Sequence, residues 1–424
     1  MSHEKLKIIL ADSIKNIPDS ALAVTSISAD GKKIYAVYSG ENISKAAELF
    51  ENNNGKLTSV FTIPARYTSN EKYSIDDGYL NCDASKSTLL STSLDTGIGL
   101  IKEYNMKTNR VSSAQLSNIS IPLASLLGGT YSQDGRYTLV QYVLDNPTFP
   151  QTPFSSTLKI LKSGTLEIVA EYSYPGLSNG AKWILNNSNK YFIALGFSNI
   201  NPTIVDAEVQ AIDFICPSQL QILEFNSLKK NISLIDEVSL PAFPSSIGTW
   251  PNCGDICTKK DSFSLIAVNT REAITLNQVL KNSSLKATSC LQNDGAELRL
   301  YHFDSENLCL VATIDHNERG SGVGFSPDAK YLAAIIRHIP TDGGEEPNSS
   351  MEIYKLPKNI KKYCEKVGNR VASCNELKHI LETNLTPPIS FTVNWSMDYQ
   401  WLLVSGLSST VTAGIQLYKV ERYE

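Results

Sequence analysis

The chain of 424 residues lacks several features that would indicate a class of function. Its formal net charge is −5 and it has no long run of Lys and Arg, so it lacks the basic surface of nucleic-acid-binding proteins. No apolar stretch approaches the ~20 residues that a membrane-spanning helix needs. The apolar run before Asp12 is too short for a signal peptide. We therefore expect no nucleic-acid partner, no membrane insertion and a cytoplasmic location, with secretion by a signal-less route as an open alternative.

Motifs of catalysis are also missing. The sequence has five histidines and no His-Glu-x-x-His, Gly-x-Ser-x-Gly, phosphate-binding loop or dinucleotide fingerprint. The acidic turn at 342–346 lacks the alternating oxygen ligands of a calcium loop. The best remaining cluster for acid–base work or anion binding is His338 beside Arg337, near His316 and Arg319. We assign no catalytic residue, no metal and no cofactor.

The eight cysteines are too few to form a disulfide scaffold in a chain of this length. Cys82 and Cys309 fall in apolar strand patterns, which predicts buried free thiols. The pairs Cys253/Cys257 and Cys364/Cys374 are close enough in sequence to be bridged, and their redox state is left open.

A short phrase recurs along the chain: a small or apolar residue, Ser or Asn, any residue, Asp, and Gly or a substitute, followed by an apolar run. Clear copies stand at 28–31, 132–135, 326–329 and 396–398, with weaker ones at 83–86 and 186–189. Asp-Gly supplies a tight turn and alternating apolar residues supply a pleated strand, so each copy predicts a β-hairpin. A hairpin that recurs along a whole chain is typical of a radial repeat architecture.

A second phrase follows the first in most copies. It is an alternating strand that ends before a polar turn, as at 220–225, 298–303, 351–356 and 415–420. With the strand after that turn, each unit has four antiparallel strands, which is one propeller blade. Seven units begin near residues 23, 78, 127, 180, 247, 321 and 391, although six or eight blades remain alternatives.

The last unit lacks its fourth strand, and an orphan strand stands at about 5–11. We therefore predict an all-β, seven-bladed β-propeller spanning 1–424 as one domain, with the N-terminal strand completing the last blade. Such closure removes the sheet edge that would otherwise pair with other chains.

These hairpins resemble those of the WD-repeat and YVTN/TolB-like propeller superfamily, which read Ser-Pro-Asp-Gly-Lys-Tyr-Leu-Ala. The best match is Phe-Ser-Pro-Asp-Ala-Lys-Tyr-Leu-Ala-Ala at 325–334, followed by Tyr-Ser-Gln-Asp-Gly-Arg-Tyr-Thr-Leu-Val at 131–140. The resemblance covers nearly the whole chain and implies the fold. It implies no catalytic residue, because propellers host scaffolds, lactonases, peptidase-associated caps and lectins alike.

Long insertions break the symmetry of the repeat. Four of them, at about 145–156, 198–218, 270–295 and 337–350, fall between second and third strands. Antiparallel strands alternate in direction, so these insertions and the links between blades emerge on one face, which we call the loop-rich face. A fifth insertion at about 357–381 belongs to the opposite face, and its residues 374–382 predict a short helix.

Functional residues concentrate in surface loops, and Tyr, Trp and Arg are enriched at binding hot spots. The candidate binding residues on the loop-rich face are Arg66, Tyr67, Phe149, Phe154, Trp250, Arg271, His316, Arg319, Arg337 and His338. Loops that merely cap the mouth of the ring are the alternative interpretation.

The sequence thus favours a monomeric, non-catalytic platform for a protein or peptide partner. A small-molecule enzyme of the lactonase or hydrolase kind, with its site at the mouth of the central channel, is the alternative, and a carbohydrate-binding propeller is the third. Three or more carboxylates or histidines converging on the channel would favour the enzyme.

Overall fold

The structure of the chain is a computed structural model. The structure describes the following residues: 5–17, 22–39, 43–65, 73–93, 96, 98–118, 129–144, 155–187, 189–199, 201–206, 211–215, 217–251, 264–271, 273–274, 286–287, 290–291, 296–316, 319–338, 348–357, 377–385, 391–407 and 413–423. Of the segments 201–206, 211–215, 273–274, 286–287 and 290–291 only the backbone is described.

Seven four-stranded antiparallel sheets, the blades, follow one another along the chain. Blade one has β2 (Leu22–Ile27), β3 (Lys33–Ser39), β4 (Lys45–Asn53) and β5 (Lys56–Pro64). Blade two has β6 (Tyr73–Leu80), β7 (Lys86–Ser93), β8 (Ile98–Asn105) and β9 (Arg110–Asn118). Blade three has β10 (Gly129–Tyr131), β11 (Tyr137–Val143), β12 (Ser155–Lys162) and β13 (Ile168–Pro175).

The next three blades carry the longer insertions. Blade four has β14 (Leu177–Asn187), β15 (Lys190–Ser198), β18 (Ser218–Asn226) and β19 (Asn231–Leu240). Blade five has β20 (Phe243–Trp250), β21 (Ser264–Arg271), β25 (Glu297–Phe303) and β26 (Leu308–Asp315). Blade six has β27 (Arg319–Phe325), β28 (Tyr331–His338), β29 (Asn348–Lys355) and β30 (Lys378–Asn384).

The two ends of the chain close the ring. Blade seven is built from β31 (Thr392–Trp395), β32 (Trp401–Leu407), β33 (Ala413–Tyr423) and the N-terminal strand β1 (Lys5–Ile17), in the order β1-β33-β32-β31. β1 pairs antiparallel with β33 over most of its length, from Lys5 opposite Tyr423 to Ile17 opposite Ala413. The predicted seven-bladed propeller and its closure by the N-terminal strand are confirmed.

The repeated Ser-x-Asp phrase forms the turn between the first and second strands of a blade. In blade one, the Ser28 hydroxyl donates to Asp30 Oδ1 at 2.7 Å and accepts from the Lys33 backbone N–H at 2.9 Å. The same donor and acceptor pattern recurs around Ser132, Ser326 and Ser396. Local hydrogen bonds of this kind favour a turn over a continued strand, which is why the phrase marks each hairpin.

The fourth position of the turn needs a positive φ. Gly31 and Gly135 both have φ of 68°, which glycine adopts without strain. Ala329 and Tyr399 take the same place at 52° and 64°. The sequence therefore tolerates other residues there, at some cost in backbone strain.

Apolar side chains between neighbouring blades form the core. In one cluster, Tyr137 of blade three packs edge to face against Tyr191 of blade four, with ring centroids 5.1 Å apart. Glycines on innermost strands allow close approach: a Cβ at Gly248 would lie 2.8 Å from the carbonyl oxygen of Val323 in the next blade. Each blade thus depends on its neighbour for burial of its faces.

Two sequence-based expectations were wrong. Residues 378–384 form strand β30 and not part of a helix, because their backbone pairs with β29 as the outermost strand of blade six.

Cys82 is disulfide-bonded and not a free thiol. It lies in the turn after β6, and its partner is outside the described side chains. Cys309 is free, as expected, but it is half-buried and not buried.

Within the described ranges, every regular element is a strand, so this part of the chain contains no helix that could span a membrane.

Candidate functional site

The innermost strands of all seven blades surround a central channel with a cavity of about 210 Å³. Every one of these strands contributes to its lining, and most lining groups are apolar, hydroxyl or amide. The two charged lining residues are Asp77 of β6 and Lys182 of β14. The cavity is smaller than the ~300–1,000 Å³ of pockets that take drug-sized ligands, so only a small ligand would fit.

Asp77 projects into the channel from an irregular point of its strand. The pairing of β6 with β7 shifts register between Ile75 and Asp77, and such a bulge changes where side chains point. The carboxylate accepts one hydrogen bond, from the Gly78 backbone N–H at 2.7 Å. Burial raises the pKa of Asp77 to about 7, although the Gly78 N–H and the charge of Lys182 act in the opposite direction.

Lys182 carries the opposite charge into the same cavity. Burial lowers the pKa of its ammonium group, and the charge of Asp77 opposes that effect. The two groups interact through space but form no ion pair with one another. Among the described residues, the Asp77 carboxylate has only the hydrogen bond from the Gly78 N–H, and the Lys182 ammonium group has none. The channel therefore contains a carboxylate and an ammonium group that do not satisfy each other.

Among the lining residues that the structure describes, the carboxylates and histidines expected of a hydrolase do not converge. Asp77 is the only carboxylate among its described lining residues, and none of those residues is a histidine. Across the described side chains, no three His, Cys, Asp or Glu residues are grouped so that they could hold a metal ion.

The loop-rich face carries an additional sheet. The insertion between β15 and β18 forms a hairpin of β16 (Asn201–Asp206) and β17 (Ala211–Ile215). The insertion between β21 and β25 contains β22 (Ala273–Ile274), β23 (Lys286–Ala287) and β24 (Cys290–Leu291), of which β22 pairs with β24. β17 pairs in parallel with β23, so insertions from blades four and five join into one three-stranded sheet.

Two of the predicted arginines lie at equivalent places on this face, each at or near the end of a second strand. The Arg271 guanidinium stacks on the Phe243 ring, with 4.9 Å between guanidinium carbon and ring centroid. The Arg337 guanidinium stacks on Phe391, at 5.3 Å, and so reaches from blade six to blade seven. Both side chains are half-buried, and cation–π contacts hold them in place.

His316 is fixed close to the same two blades. Its Nε2 lies 3.0 Å from Asn269 Oδ1, and Asn269 Nδ2 donates to the Ile335 carbonyl oxygen at 3.2 Å. Asn269 is fully buried in β21. This amide therefore ties the link between blades five and six to blade six itself.

Trp250 is not on the loop-rich face, contrary to the sequence-based prediction. β20 begins at Phe243, earlier than predicted, which places Trp250 at the end of the strand where the Ser-x-Asp turns lie. Its indole N–H donates to the Pro327 carbonyl oxygen in the turn of blade six, at 2.7 Å. Trp250 thus packs two blades together on the opposite face.

The remaining candidates are described in part or not at all. Arg319 and His338 are described through their backbones, in β27 and β28, where Arg319 pairs with Arg337 and His338 with Asn348. Arg66, Tyr67, Phe149 and Phe154 lie outside the described residues.

Neither Asp77 nor Lys182 is among the residues predicted from the sequence. The predicted start of the second unit near 78 left Asp77 outside its strand, whereas β6 begins at Tyr73. A charged residue inside an innermost strand was the signal that could have drawn attention to both.

The sequence matches no family model and no curated protein. Solved structures with a similar fold exist. One titled as the mitotic checkpoint complex has a TM-score of 0.52 and 10% identity, covering 98% of this chain and 95% of the other. The Dos1 propeller has a TM-score of 0.50 and 10% identity, with coverages of 97% and 95%. Hydrazine synthase from Kuenenia stuttgartiensis has a TM-score of 0.50 and 10% identity, with coverages of 92% and 94%. At these identities the likeness shows the fold alone, which is that of a β-propeller.

Proposed function

We propose that this protein is a non-catalytic platform that binds a protein or peptide partner on its loop-rich face. The main support is the sheet β16-β17-β23, built from insertions of two neighbouring blades. The ring closes through the seven blades without these strands, so the insertions add surface to the fold and not closure. Loops and insertions on a rigid scaffold are where binding residues concentrate.

The sheet offers a specific mode of recognition. Among the described strands, β16 pairs with β17 alone, so its other edge is available for an extended peptide to add as a further strand. Main-chain hydrogen bonds would then provide affinity and neighbouring side chains specificity. A ring of packed blades loses little freedom on binding, which lowers the entropic cost of association.

Two arginines on the loop-rich face are suitable anchors. Arg271 is the last residue of β21 and leads into the insertion that carries β23, and Arg337 lies next to the end of β28 in the next blade. Arginine on an aromatic ring is preorganised, and it is among the residues enriched at hot spots. A propeller of the same fold occurs in a structure titled as a complex, which is compatible with a role of this kind.

The test is selection of a random-peptide library on the wild-type protein, with dissociation constants measured for the selected peptides. We expect the double variant Arg271→Ala/Arg337→Ala to weaken binding by at least ~30-fold, the loss that corresponds to a hot spot of about 2 kcal/mol. The matched control is Lys56→Ala/Lys229→Ala, which removes two exposed charges from turns of the opposite face.

Circular dichroism and thermal unfolding would establish that both variants are folded. If the selected peptides bind both double variants as tightly as wild type, or if only the control variant loses binding, the loop-rich face is not the platform.

A further inference from the structure

The central channel is a second candidate binding site, separate from the loop-rich face. Asp77 and Lys182 reach it from blades two and four, and both are half-buried. A buried charge without a partner is costly, and proteins normally pair it or solvate it. Here both charged groups line the same small cavity, and neither forms an ion pair with a described residue.

We propose that the channel binds a small zwitterion, whose carboxylate pairs with Lys182 and whose ammonium group pairs with Asp77. An amino acid is the chemical class that meets this description. The ligand would complete both ion pairs at once, which no singly charged molecule of the same size can do. Binding is noncovalent and requires no cofactor.

The size of the cavity supports a small ligand. Its volume of about 210 Å³ would accommodate a few heavy atoms with some water and would not accommodate a folded segment of another protein. A partner on the loop-rich face and a zwitterion in the channel are therefore compatible with each other.

Neutral polar groups could position the ligand between the two charges. Ser246 and Thr249 line the cavity from blade five, and their hydroxyls form no hydrogen bond with the described residues. By contrast, the Thr25 hydroxyl of blade one donates a hydrogen bond to the Ser405 hydroxyl of blade seven at 2.9 Å. The free hydroxyls lie on a third blade, so the lining could contact a ligand from several directions.

The directions of the two pKa shifts agree with this geometry. Burial shifts the pKa of Asp77 upward and that of Lys182 downward, and these shifts outweigh the favourable interactions that each charged group has with the protein. A ligand of complementary charge would move both values back toward the ordinary range.

The test uses a ladder of ω-amino acids, namely glycine, β-alanine, 4-aminobutyrate and 6-aminohexanoate, in thermal-shift and calorimetric titrations of the full chain. The ladder varies the distance between ammonium and carboxylate. We expect at least one member to stabilise the protein saturably at millimolar concentration, and its methyl ester and N-acetyl derivative to be at least ~10-fold weaker, since each lacks one charge.

Asp77→Asn and Lys182→Met should each weaken binding of that member by at least ~10-fold. Lys190→Met is the matched control, because Lys190 lies on the strand next to β14 with its ammonium group paired to Glu224 outside the channel. Circular dichroism shows whether each variant is folded, and the carbon-13 shift of the Asp77 carboxyl reports ligand contact directly.

The proposal is overturned if no member of the ladder binds saturably, or if acetate or methylammonium alone stabilises the protein as well as the amino acid does. It is also overturned if the channel variants bind as the control does. None of these outcomes depends on whether the loop-rich face binds a peptide.

Discussion

The Tyr191 hydroxyl of blade four donates a hydrogen bond to Asp134 Oδ2 in the turn of blade three, at 2.8 Å. Both residues belong to the sequence repeat. Asp134 is the Asp of the turn in one blade, and Tyr191 is the aromatic residue in the second strand of the next blade. Tyr191 is almost fully buried, and burial together with the Asp134 carboxylate raises the pKa of its hydroxyl. The repeat therefore encodes contacts between blades as well as turns within them.

Loss of this hydroxyl should destabilise the fold. Hydrogen bonds to charged groups contribute about 1.5–3 kcal/mol, and partial exposure of Asp134 reduces that value, so we expect Tyr191→Phe to cost about 1 kcal/mol. Tyr137→Phe is the matched control, because Tyr137 packs against the same rings while its hydroxyl makes no described hydrogen bond. Urea unfolding measures both; equal costs would show that the Asp134 contact contributes nothing.

Adding a methyl group where a glycine lets two blades approach closely should lower the stability of the fold. Gly248→Ala would place a methyl group 2.8 Å from the Val323 carbonyl oxygen, and Gly324→Ala 2.7 Å from that of Val393. Overpacking of this kind costs about 1–3 kcal/mol. Gly180→Ala, where the added methyl group meets nothing within 4 Å, should leave the free energy of unfolding nearly unchanged. Thermal unfolding of the three variants checks this order.

Backbone strain in the turns can be relieved. Ala329 has a φ of 52°, in a position where other copies of the turn have glycine. The left-handed conformation costs a non-glycine residue about 1–2 kcal/mol, and glycine loses about 0.5–1 kcal/mol to entropy. We therefore expect Ala329→Gly to stabilise the protein by about 0.5–1 kcal/mol.

Tyr399 offers a comparison at the same turn position of blade seven. Its φ is 64°, but its ring also stacks with the Arg422 guanidinium at 4.8 Å. Tyr399→Gly relieves strain and removes that contact, so its gain in stability should be smaller than that of Ala329→Gly. A larger gain in stability for Tyr399→Gly would mean that the stacking contact does not stabilise the fold.

Asp328 should contribute to acid sensitivity. Burial alone would raise its pKa, but hydrogen bonds from Arg422, at 2.7 Å, and Ser326 lower the pKa below its ordinary value overall. A carboxyl group with a lowered folded-state pKa stabilises the fold above its unfolded pKa, and that contribution disappears as the pH falls through the folded value.

We expect Asp328→Asn to cost about 1–2 kcal/mol at neutral pH. The difference from wild type should shrink as the pH falls below about 4. Denaturant unfolding at several pH values measures it, and a difference that stays constant down to the acid limit would contradict the assignment.

The two described cysteine side chains should differ in reactivity. Iodoacetamide added to the unfolded, unreduced protein should alkylate Cys309, whereas Cys82 should be alkylated only after reduction. Peptide mass mapping distinguishes these states and also identifies the cysteine that pairs with Cys82. Alkylation of Cys82 without reduction would show that it is a free thiol.

Much of the fold could be predicted from the sequence because its determinants are local. Ser28 and Asp30 form a turn through hydrogen bonds within a few residues, and the apolar alternation on either side sets the pleat. The count of seven units and the orphan strand at the N-terminus followed from repeating that signal. Errors arose where the signal was weak, as for residues 378–384, where a sheet edge and not local pattern decides the conformation.

The sequence by itself determined the repeat, the turns and the strand that closes the ring, since these depend on neighbours along the chain. Only the tertiary structure decided that Asp77 and Lys182 share one cavity, that Trp250 serves the opposite face, and that β17 and β23 pair across two insertions. Those relationships join residues far apart in sequence, and closure of the ring is the physical event that brings them together.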